Sequence, residues 1–465
     1  MIDLKALREN PDRFIQGARA KGVDVDIPRL LELDTARREA LARQESARAE
    51  QKRISKEIGP QIGKLKSTLK KASEDEKAAI EQELAALESA PSALKKAVQT
   101  AEAEVAALDG PLQTLLLHVP LPADDDVPRG ESSDDNVELR QWASGTFDPT
   151  QPFVSQRGFE PLTHIELIQK HGLVDFERAV KVGGTRHYSL LGDAMRLHQA
   201  VLRFALDVIT DEHGFTPMSV PVVVREECML GTGFFPEGRE QAYHIEESVR
   251  GAGHDLYLTG TGEVGLMGLH ADEIIDEADL PIKAATLSTC FRREAGAAGR
   301  DTAGLYRIHQ FDKVEQIVIC RASADEERAH HADMIGSVET ILQRLGLPYR
   351  LLQCCTGDLG SKNADMIDIE CWMPGRGQLD TNDRPCGDWG ETHSASRLHD
   401  YQCRRLNLRY RDADRKTHFC WSLNNTVAAS PRILIPLMEI HQQADGSIAI
   451  PEVLQPYMGG RTSIG

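Results

Sequence analysis

One stretch of the chain is patterned so regularly that it can fold only as a long helix packed against another helix. Between residues 80 and 108, apolar side chains recur in alternating steps of four and three: Ile80, Leu84, Leu87, Leu94, Val98, Ala101, Val105 and Leu108. A mean spacing of about 3.5 residues is the repeat of a coiled-coil seam. Pro91 takes one seam position and interrupts it. The stretch is therefore predicted to be one strand of a coiled coil.

A second, less regular seam precedes the first. Residues 30–58 keep apolar side chains at Leu30, Leu33, Ala40, Ala47, Ile54 and Ile58, and place Arg37, Gln44 and Gln51 between them. The cluster of Gly59, Pro60 and Gly63 that follows is typical of a turn. We therefore expect an antiparallel helical hairpin, an arm of roughly 40 to 60 Å at about 1.5 Å per residue.

The arm is locally basic although the whole chain is strongly acidic. From Leu31 to Ala72 there are eleven Lys and Arg residues against six Asp and Glu residues, whereas the formal net charge of the chain is −18. The overall charge excludes a protein that coats nucleic acid non-specifically. Two interpretations of the basic stretch remain open, a solvated helix face with mixed charges and a surface that contacts RNA phosphates. The candidates for RNA contact are Arg37, Arg38, Arg43, Arg48, Lys52 and Arg53.

Composition divides the 465 residues into three parts. The arm region is rich in Ala, Glu, Lys, Arg, Gln and Leu and contains neither Trp nor Tyr. After it, Pro120, Pro122 and Pro128 bracket the acidic run from Asp124 to Asp126, which is typical of a linker. We expect an N-terminal arm domain over residues 1–110, an acidic linker over 111–150 and a catalytic body over 151–465.

The predicted body alternates strand-like and helix-like segments. The apolar runs bounded by turn residues are SVPVVV, KAATLSTCF, EQIVIC and MIDIECWM. Helical spacing marks MRLHQAVLRFALDVITDEHG and SADEERAHHADMIGSVETILQRLG. This part is therefore predicted to have an α+β fold, with strands flanked by helices.

Cysteine usage and hydropathy indicate the compartment. The nine cysteines include no CxxC pair, and the start MIDLKALREN lacks the apolar segment of a secretory signal. Both features favour a reducing compartment. No run of eighteen apolar residues occurs. We expect a cytoplasmic protein with no membrane partner.

Among the common short motifs of enzymes, one dinucleotide-binding pattern is matched and several others do not occur. The segment GTGEVG, from Gly260 to Gly265, matches the GxGxxG pattern of dinucleotide-binding enzymes, which would make the chain an oxidoreductase. No regular βαβ alternation surrounds it, as that fold requires. The sequence has no GxxxxGK[ST], HExxH or GxSxG. Any phosphate must therefore be bound by arginines, whose guanidinium groups can donate two parallel hydrogen bonds to it.

The segment CFRREAGAAGRDTAGLYRIHQFDKVEQ, from Cys290 to Gln316, places such arginines between two strand-like pieces. It resembles motif 2 of class II aminoacyl-tRNA synthetases, and in particular that of seryl-tRNA synthetases. The resemblance covers nearly the whole chain, with further matches at MIDLKALRENPDRF, DFERAVKVGGTRHYSLLGD, LTGTGEVGL, TGDLG, the segment from Glu391 to Arg405 and IPEVLQPYMGG. Motif 1 is resembled by the helical segment that ends in HGF, together with the SVPVVV that follows it. Motif 3 is resembled by NNTVAASPRILIPLMEIHQQ.

The resemblance implies a class II fold, an antiparallel sheet flanked by helices and preceded by the arm. It implies a ligase that converts L-serine and ATP to seryl-adenylate and pyrophosphate, and passes serine to the 3′ end of tRNA(Ser), with tRNA(Sec) as a second candidate. It further implies Mg²⁺ as cofactor, a homodimer with Pro221 at its interface, no DNA partner, and an arm that grips the long variable arm of the tRNA.

The resemblance also assigns the site residues. Arg292 would bind the α-phosphate and the serine carboxylate, and Arg432 the γ-phosphate, as the catalytic pair. Phe311 would stack on adenine with Glu294 at its edge. The ATP set is completed by Arg293, Glu391, Thr392, His393 and Ser394, of which Glu391 and Ser394 would hold Mg²⁺. Serine would be bound by Thr261, Gly262, Glu263, Arg292, Glu315, Asn424 and Thr426, with Glu263 receiving the amino group and Glu315 and Thr426 on the hydroxyl side.

The chain departs from the family pattern at three places. Gly262 stands where the family has alanine in TxE, and Ala428, Ala429 and Pro431 replace glycines of motif 3. Residues 375–390 are longer than the usual connection. Cys371, Cys386 and His393 beside them could suggest a metal, but their spacing matches no common site, and a loop is preferred.

Two alternatives to an active synthetase stay open at the sequence level. A paralogue that has lost charging would bind partners without catalysis, although Arg292, Glu315 and Arg432 all persist. An amino acid:carrier-protein ligase would keep the adenylating core but lack the long arm, and the heptads from Ile80 to Leu108 count against it.

Overall fold

The computed structural model describes residues 1–145, 147–246, 255–295 and 304–465. Residues 296–303 of the motif 2 segment lie outside the described residues. The chain divides into two compact units. The arm unit holds Leu4–Ile15 and Asp24–Val119, and the core unit holds Met1–Asp3, Gln16–Val23 and Pro120–Gly465.

Two long antiparallel helices dominate the arm unit and confirm the predicted coiled coil. The helices at this end of the chain are α1 (Leu4–Glu9), α2 (Pro11–Ala20), α3 (Ile27–Leu69) and α4 (Glu74–His118). Asp26 caps α3 by accepting a hydrogen bond from the backbone N–H of Arg29. The predicted seam is the buried side of the pair, with Ala40, Leu84 and Ala101 among its buried residues.

The predicted position of the hairpin turn is wrong. Gly59, Pro60 and Gly63 are exposed residues inside α3, and the chain turns at residues 70–73 instead. A glycine costs a helix about 1 kcal/mol and a proline about 3 kcal/mol, costs that seam packing on both sides can offset. The turn occurs where Ser73 and Glu76 form a capping box that starts α4.

The predicted linker, residues 111–150, is not a single irregular segment. Helix α4 continues to His118, because Leu112 and Leu116 extend its apolar seam and are both buried. The acidic run is also fixed in place, since Asp124 forms an ion pair with the buried Arg397 at 2.8 Å. Further on, Val137–Trp142 forms an edge strand of the main sheet. The boundary between the two units in this part of the chain therefore lies between Val119 and Pro120.

The core unit is built on an eight-stranded sheet. Its order is β1-β9-β10-β11-β14-β8-β7-β2. These strands are β1 (Val137–Trp142), β2 (Thr216–Pro217), β7 (Ile282–Phe291), β8 (Gln310–Cys320), β9 (Tyr349–Gln353), β10 (Asp365–Met373), β11 (Asp388–Arg397) and β14 (Trp421–Ser430). All neighbouring pairs are antiparallel except β2 and β7.

Helices and three small sheets surround it. The helices are α5 (Phe153–Arg157), α6 (His164–His171), α7 (Phe176–Gly183), α8 (Gly192–Asp211), α9 (Glu226–Gly231), α10 (Gly262–Gly268), α11 (Ala324–Arg344), α12 (Tyr401–Arg405) and α13 (Leu434–His441). The small sheets contain β3 (Val223–Arg225), β4 (Tyr243–Ile245), β5 (Leu256–Leu258), β6 (Ile274–Asp276), β12 (Arg409–Arg411), β13 (Thr417–Phe419), β15 (Ile448–Ala449) and β16 (Ser463–Ile464). Among the described residues, no helix is long and apolar enough to cross a membrane.

Alternation along β8 explains where the core lies. Val314, Val318 and Cys320 belong to the large apolar cluster that also contains residues of α8 and α11. Ile317, on the other side of the strand, packs in a separate cluster with Leu266 of α10. One face of the sheet is therefore covered by the two long helices, which leaves the other face for α10 and the polar residues described below.

One sequence interpretation needs correction, and one alternative that the sequence already disfavoured is ruled out. In SVPVVV only Val223 and Val224 are part of a strand, and Pro221, the proposed dimer contact, is an exposed residue before it. The GxGxxG match does not follow a strand of a parallel sheet, because the main sheet is antiparallel and β5 pairs antiparallel with its neighbours. The dinucleotide-binding interpretation is therefore wrong.

Candidate active site

Strand register brings several predicted residues to one face of the main sheet. On β8, Phe311, Lys313 and Glu315 alternate with Val314, so the first three point to the same side. Thr426 of β14 pairs directly with Glu315 and shares its face. Because side chains on a strand alternate between its two faces, the predicted adenine residue Phe311 and the predicted serine residues Glu315 and Thr426 lie on the same face of the sheet.

A β-bulge adds Glu391 and Ser394 to the same face. Between β10 and β11, Ser394 pairs with Asp368 and Glu391 pairs with Glu370, which leaves Thr392 as an extra residue. Residues three apart normally point to opposite sides of a strand, and one extra residue reverses this. Both side chains therefore share the side of Asp368, as two ligands of one metal ion must.

A cavity lies where β7, β8, β11 and β14 meet. The predicted residues in its lining are Arg292, Glu294, Phe311, Glu391, Thr392, Thr426 and Arg432. Lys313 and Tyr306 line it as well, and the sequence analysis did not single out either of them. The structure therefore brings both predicted catalytic arginines into one cavity.

Arg292 follows directly after β7. Its Nε donates a hydrogen bond to the backbone oxygen of Gly260 at 3.3 Å, and its guanidinium lies over the Phe311 ring, 5.4 Å from the centroid. The residue is exposed, so its remaining N–H groups are accessible to a ligand. A planar donor group beside an aromatic face suits the junction of a phosphate and a purine base.

Arg432 lies two residues before α13 and also lines the cavity. It donates hydrogen bonds to the backbone oxygens of Tyr306 and Glu391, each at 3.2 Å, and stacks 4.4 Å from the centroid of the Tyr306 ring. The residues that stand in place of the motif 3 glycines have two different environments. Ala428 packs in the core, whereas Ala429 and Pro431 line the cavity.

The remaining predicted ATP residues differ in their access to the cavity. Glu294 lines it and pairs with Arg307 at 3.1 Å. Arg293 is exposed and its backbone N–H donates to Gln241. His393 is buried, with Nδ1 2.8 Å from the Thr392 hydroxyl, and burial lowers its pKa to about 3. His393 is therefore neutral at physiological pH.

Glu263 is the centre of a buried polar cluster. Thr261 caps α10, and Glu263 lies in the first turn of that helix with 3% of its surface exposed. Its Oε1 accepts hydrogen bonds from Gln402 at 2.6 Å and from Asn424 at 2.5 Å. Lys362 Nζ lies 2.8 Å from both carboxylate oxygens.

A second buried lysine faces the other predicted serine residues. Lys313 donates to the Thr261 hydroxyl at 2.7 Å, reaches the Thr426 hydroxyl at 3.5 Å and forms an ion pair with Glu315. Burial raises the pKa of Glu315, although Lys313 acts in the opposite direction. Glu315 Oε2 is the oxygen that faces Lys313 Nζ, so a ligand donor at this carboxylate would share it with the lysine.

Close packing explains the glycine in place of the family's alanine. A Cβ added to Gly262 would lie 2.4 Å from Cγ2 of Thr286 and 3.1 Å from the Ser288 hydroxyl. Such distances are far inside van der Waals contact, so an alanine would force the strand or helix α10 to shift. In this chain the glycine is a packing requirement of the cluster rather than a loosened backbone.

The predicted magnesium ligands fit a hard cation. Burial and the neighbouring Glu391 carboxylate raise the pKa of Asp368 well above its ordinary value. Asp368 Oδ1 is buried and has no hydrogen-bond partner within the described part of the chain. Oxygen ligands from Asp368, Glu391 and Ser394 on one face are what Mg²⁺ prefers. Asp368 stands inside a strand without a recognisable motif and is therefore not among the residues predicted from the sequence.

The suggested cysteine–histidine metal group does not form among the described residues. Cys386 is exposed, whereas Cys371 is buried and accepts a hydrogen bond from the Thr392 hydroxyl at 3.2 Å. In the residues with described coordinates, the group of potential ligands that does come together is Cys354, Asp358 and Asp368. The longer connection is a loop up to residue 387, and β11 begins at Asp388.

In the arm unit, most of the predicted RNA-contact residues carry acidic partners. Arg37, Arg43 and Arg48 of α3 pair with Asp109, Glu104 and Glu102 of α4. A further pairing, within α3, joins Arg53 to Glu50 and Glu57. Arg38 and Lys52 are exposed. The local positive charge seen in α3 alone is thus partly balanced by α4.

Comparisons with known proteins agree with this geometry. Residues 1–121 match the model of the seryl-tRNA synthetase N-terminal domain, and residues 243–441 match that of the class II tRNA synthetase core domain (G, H, P, S and T). A serine–tRNA ligase of Deinococcus radiodurans is 40% identical over 100% of this chain and 99% of its own length. The chain belongs to the seryl-tRNA synthetase family. The predicted class II fold and the prediction of an ATP-dependent serine–tRNA ligase are thereby confirmed.

Solved structures of family members extend over the whole chain. The seryl-tRNA synthetase of Pyrococcus horikoshii complexed with ATP is 34% identical, covers 100% of this chain and 99% of its own, and has a TM-score of 0.83. The cytoplasmic serine–tRNA ligase of Naegleria fowleri in complex with AMP is 30% identical, with 100% and 98% coverage and a TM-score of 0.80. The family's nucleotide complexes support ATP binding by this chain.

Proposed function

We propose that the chain activates L-serine with ATP and transfers the seryl group to the 3′ end of tRNA(Ser), with tRNA(Sec) as a second acceptor. This proposal is supported by two groups of polar residues that lie next to each other on one face of the main sheet. A cavity with two arginines for an anionic nucleotide adjoins buried carboxylates of Glu263 and Glu315 for a small polar amino acid. Serine has an ammonium and a hydroxyl group to match them.

In the first step a carboxylate oxygen of serine attacks the α-phosphorus, and the bond to the bridging oxygen of pyrophosphate breaks. The chain supplies no nucleophile for this step. Arg292 holds the serine carboxylate and the α-phosphate together and reduces their repulsion. Arg432 binds the γ-phosphate, so the triphosphate is bent and pyrophosphate is placed to leave. In the second step a hydroxyl of the terminal adenosine attacks the activated carbonyl and AMP leaves.

Serine selection rests on the two buried carboxylates. Glu263 receives the ammonium group, and Glu315 with Thr426 binds the hydroxyl. A buried carboxylate that loses its donor is costly, so a ligand without the hydroxyl is rejected by a large factor. The close contacts around Gly262 and Thr286 keep the subsite small enough to exclude longer side chains.

Magnesium would be held by Glu391 and Ser394, with Asp368 as an additional ligand. When bound, the ion neutralises part of the triphosphate charge. Burial and, after it, the Glu391 carboxylate raise the pKa of Asp368, and a cation bound beside these groups would offset both effects by favouring the ionised carboxylate.

The arm would recognise the tRNA by its shape and phosphates. Arg38 and Lys52 are exposed and form no ion pair within the part of the chain that the structure describes. Arg43 and Arg48, in contrast, must exchange Glu104 and Glu102 for phosphate. A homodimer with Pro221 at its interface and a cytoplasmic location complete the proposal.

Aminoacylation of tRNA tests it directly. Transcripts of tRNA(Ser), of tRNA(Sec) and of a tRNA with a short variable arm are incubated with labelled serine, ATP and the full chain. We expect serine on the first two and none on the third. Exchange of pyrophosphate without charging of any tRNA would instead favour a carrier-protein ligase, and no reaction at all would favour a paralogue without catalytic activity.

A further inference from the structure

The carboxylate expected to receive the substrate's ammonium already has an ammonium group bound to it. Lys362 Nζ lies 2.8 Å from Oε1 and 2.8 Å from Oε2 of Glu263. Gln402 and Asn424 donate to Oε1 as well. Oε1 already accepts three donors, so a further ammonium would have to bind at Oε2 beside the Lys362 ammonium, and repulsion between these two like charges favours the departure of Lys362.

The charges of the buried cluster also disfavour a second ammonium beside Lys362. The buried cluster holds two carboxylates, Glu263 and Glu315, and two lysines, Lys362 and Lys313, in two ion pairs. It is therefore balanced before any amino acid enters. Serine brings a carboxylate for Arg292 and an ammonium, and the ammonium has no unpaired anion in the cluster. A buried and unbalanced charge is strongly unfavourable, so the site does not hold serine and the Lys362–Glu263 pair together.

Lys362 is built to move, whereas Glu263 is fixed. The lysine is at a turn, where the backbone N–H of Asn363 donates to the Gly360 oxygen, and its four-carbon stem has several rotatable bonds. Lys21 Nζ donates to the backbone oxygens of Gly360 and Asn363 and so holds the turn on both sides of Lys362. The side chain itself keeps 15% of its surface exposed, which gives it a route towards solvent.

The Phe234 ring provides a second contact for the lysine. Lys362 Nζ lies 4.1 Å from its centroid, which is a favourable cation–π distance. The ammonium is thus held between a carboxylate and an aromatic face when no amino acid is bound.

We propose that Lys362 is a built-in competitor of the substrate's ammonium group, which serine must displace from Glu263 before it can bind. This inference rests on the proposed assignment of Glu263 to the serine ammonium. Lys362 is then a specificity-determining residue that lowers affinity for amino acids and leaves the chemistry of adenylate formation to the arginines. Its effect depends on the charge of the ligand, which a purely structural role would not.

Calorimetric titration of the full chain with L-serine and with 3-hydroxypropanoate, which lacks the amino group, tests the inference. The variants are Lys362→Met, Lys362→Gln as a neutral donor that keeps Glu263 hydrogen-bonded, and Lys362→Arg, which keeps the charge. Lys416→Met, an exposed lysine outside the cluster, is the matched control. If the competent fraction without substrate is about a tenth, removal of the competitor tightens binding about tenfold.

We expect the Met and Gln variants to bind L-serine about tenfold more tightly, with the affinity for 3-hydroxypropanoate unchanged within about twofold. The Arg and control variants should resemble the parent. Unchanged or weaker serine binding in both neutral variants would overturn the inference, as would equal tightening for both ligands. If the parent activates serine and only these comparisons fail, the proposed function stands. If neither the parent nor the neutral variants bind serine, both fall.

Discussion

The guanidinium of Arg292 lies over the ring of Phe311, 5.4 Å from its centroid. One residue follows strand β7 and the other belongs to β8, and the pairing of Cys290 with Phe311 brings them together. A positive group for phosphate and an aromatic face for a base are thus joined by the register of two neighbouring strands. The predictions below follow from this arrangement and from the clusters beside it.

Replacing Arg292 or Arg432 by alanine should lower serine-dependent pyrophosphate exchange about 10²- to 10³-fold, the usual loss when one preorganised donor to a developing charge is removed. Initial rates at saturating ATP and serine measure the effect. Arg178→Ala, which removes an exposed arginine paired with Asp175 at 2.7 Å, is the control and should keep the parent rate. Exchange in either site variant within tenfold of the parent would remove that arginine from the proposed mechanism.

Replacing Glu315 by glutamine should weaken the discrimination between serine and alanine. The carboxylate is buried and forms an ion pair with Lys313, and an amide is a poorer acceptor for both the lysine and the serine hydroxyl. We expect kcat/KM for serine to fall about 10- to 100-fold while that for alanine changes little. Parallel exchange assays with both amino acids give the ratio. An equal loss for the two substrates would show that Glu315 maintains the fold of the cluster instead of selecting the hydroxyl.

Replacing Arg43, Arg48 and Lys52 together by alanine should leave pyrophosphate exchange intact and raise KM for tRNA at physiological salt. Each lost phosphate contact also reduces the slope of affinity against salt concentration by about one. The arm offers a matched opposite change, because Glu102→Ala with Glu104→Ala frees Arg48 and Arg43 from their partners. That double variant should bind tRNA more tightly. Damage to exchange equal to the damage to charging would contradict the division between arm and core.

His399 should make the stability of the core unit depend on pH. Burial alone would lower its pKa, but hydrogen bonds to Asp124 and Glu327 raise it to about 9. With an unfolded value of 6.5, its contribution is complete below pH 6.5 and is lost as the pH rises through 9. The contribution is about 3 kcal/mol at most.

Thermal unfolding of the parent and of His399→Gln isolates this contribution, because all other titrating groups are common to both. The difference in melting temperature should be large at pH 6 and should shrink towards pH 9.5. A difference that stays constant over this range would mean that His399 acts through packing alone.

Regular periodicity is what made much of the fold predictable. The heptads from Ile80 to Leu108 determine an elongated helix pair because only a partner helix can cover such a seam. The turn was misplaced because a local breaker such as Pro60 competes with packing along the whole helix, and the capping pair Ser73 and Glu76 carries the stronger local signal. The end of α4 was set too early for the same reason, since burial of Leu112 and Leu116 outweighs Pro111.

The candidate site was predictable where it follows a motif and unpredictable where it depends on long-range contacts. Lys313 could have been found, because it alternates with Phe311 and Glu315 along one strand. Lys362 and Gln402 could not, because they reach Glu263 from positions 99 and 139 residues away. Likewise, the face shared by Glu391 and Ser394 depends on a bulge at Thr392, which no local pattern announces.

Amino-acid-dependent exchange of pyrophosphate into ATP, measured with each of the twenty amino acids on the full chain, tests the central claim most directly. The arginine pair and the two buried carboxylates together predict exchange with L-serine, at most a trace with alanine or threonine, and none with the others. Exchange with a different amino acid, or no exchange with any of the twenty, would contradict the account of the site.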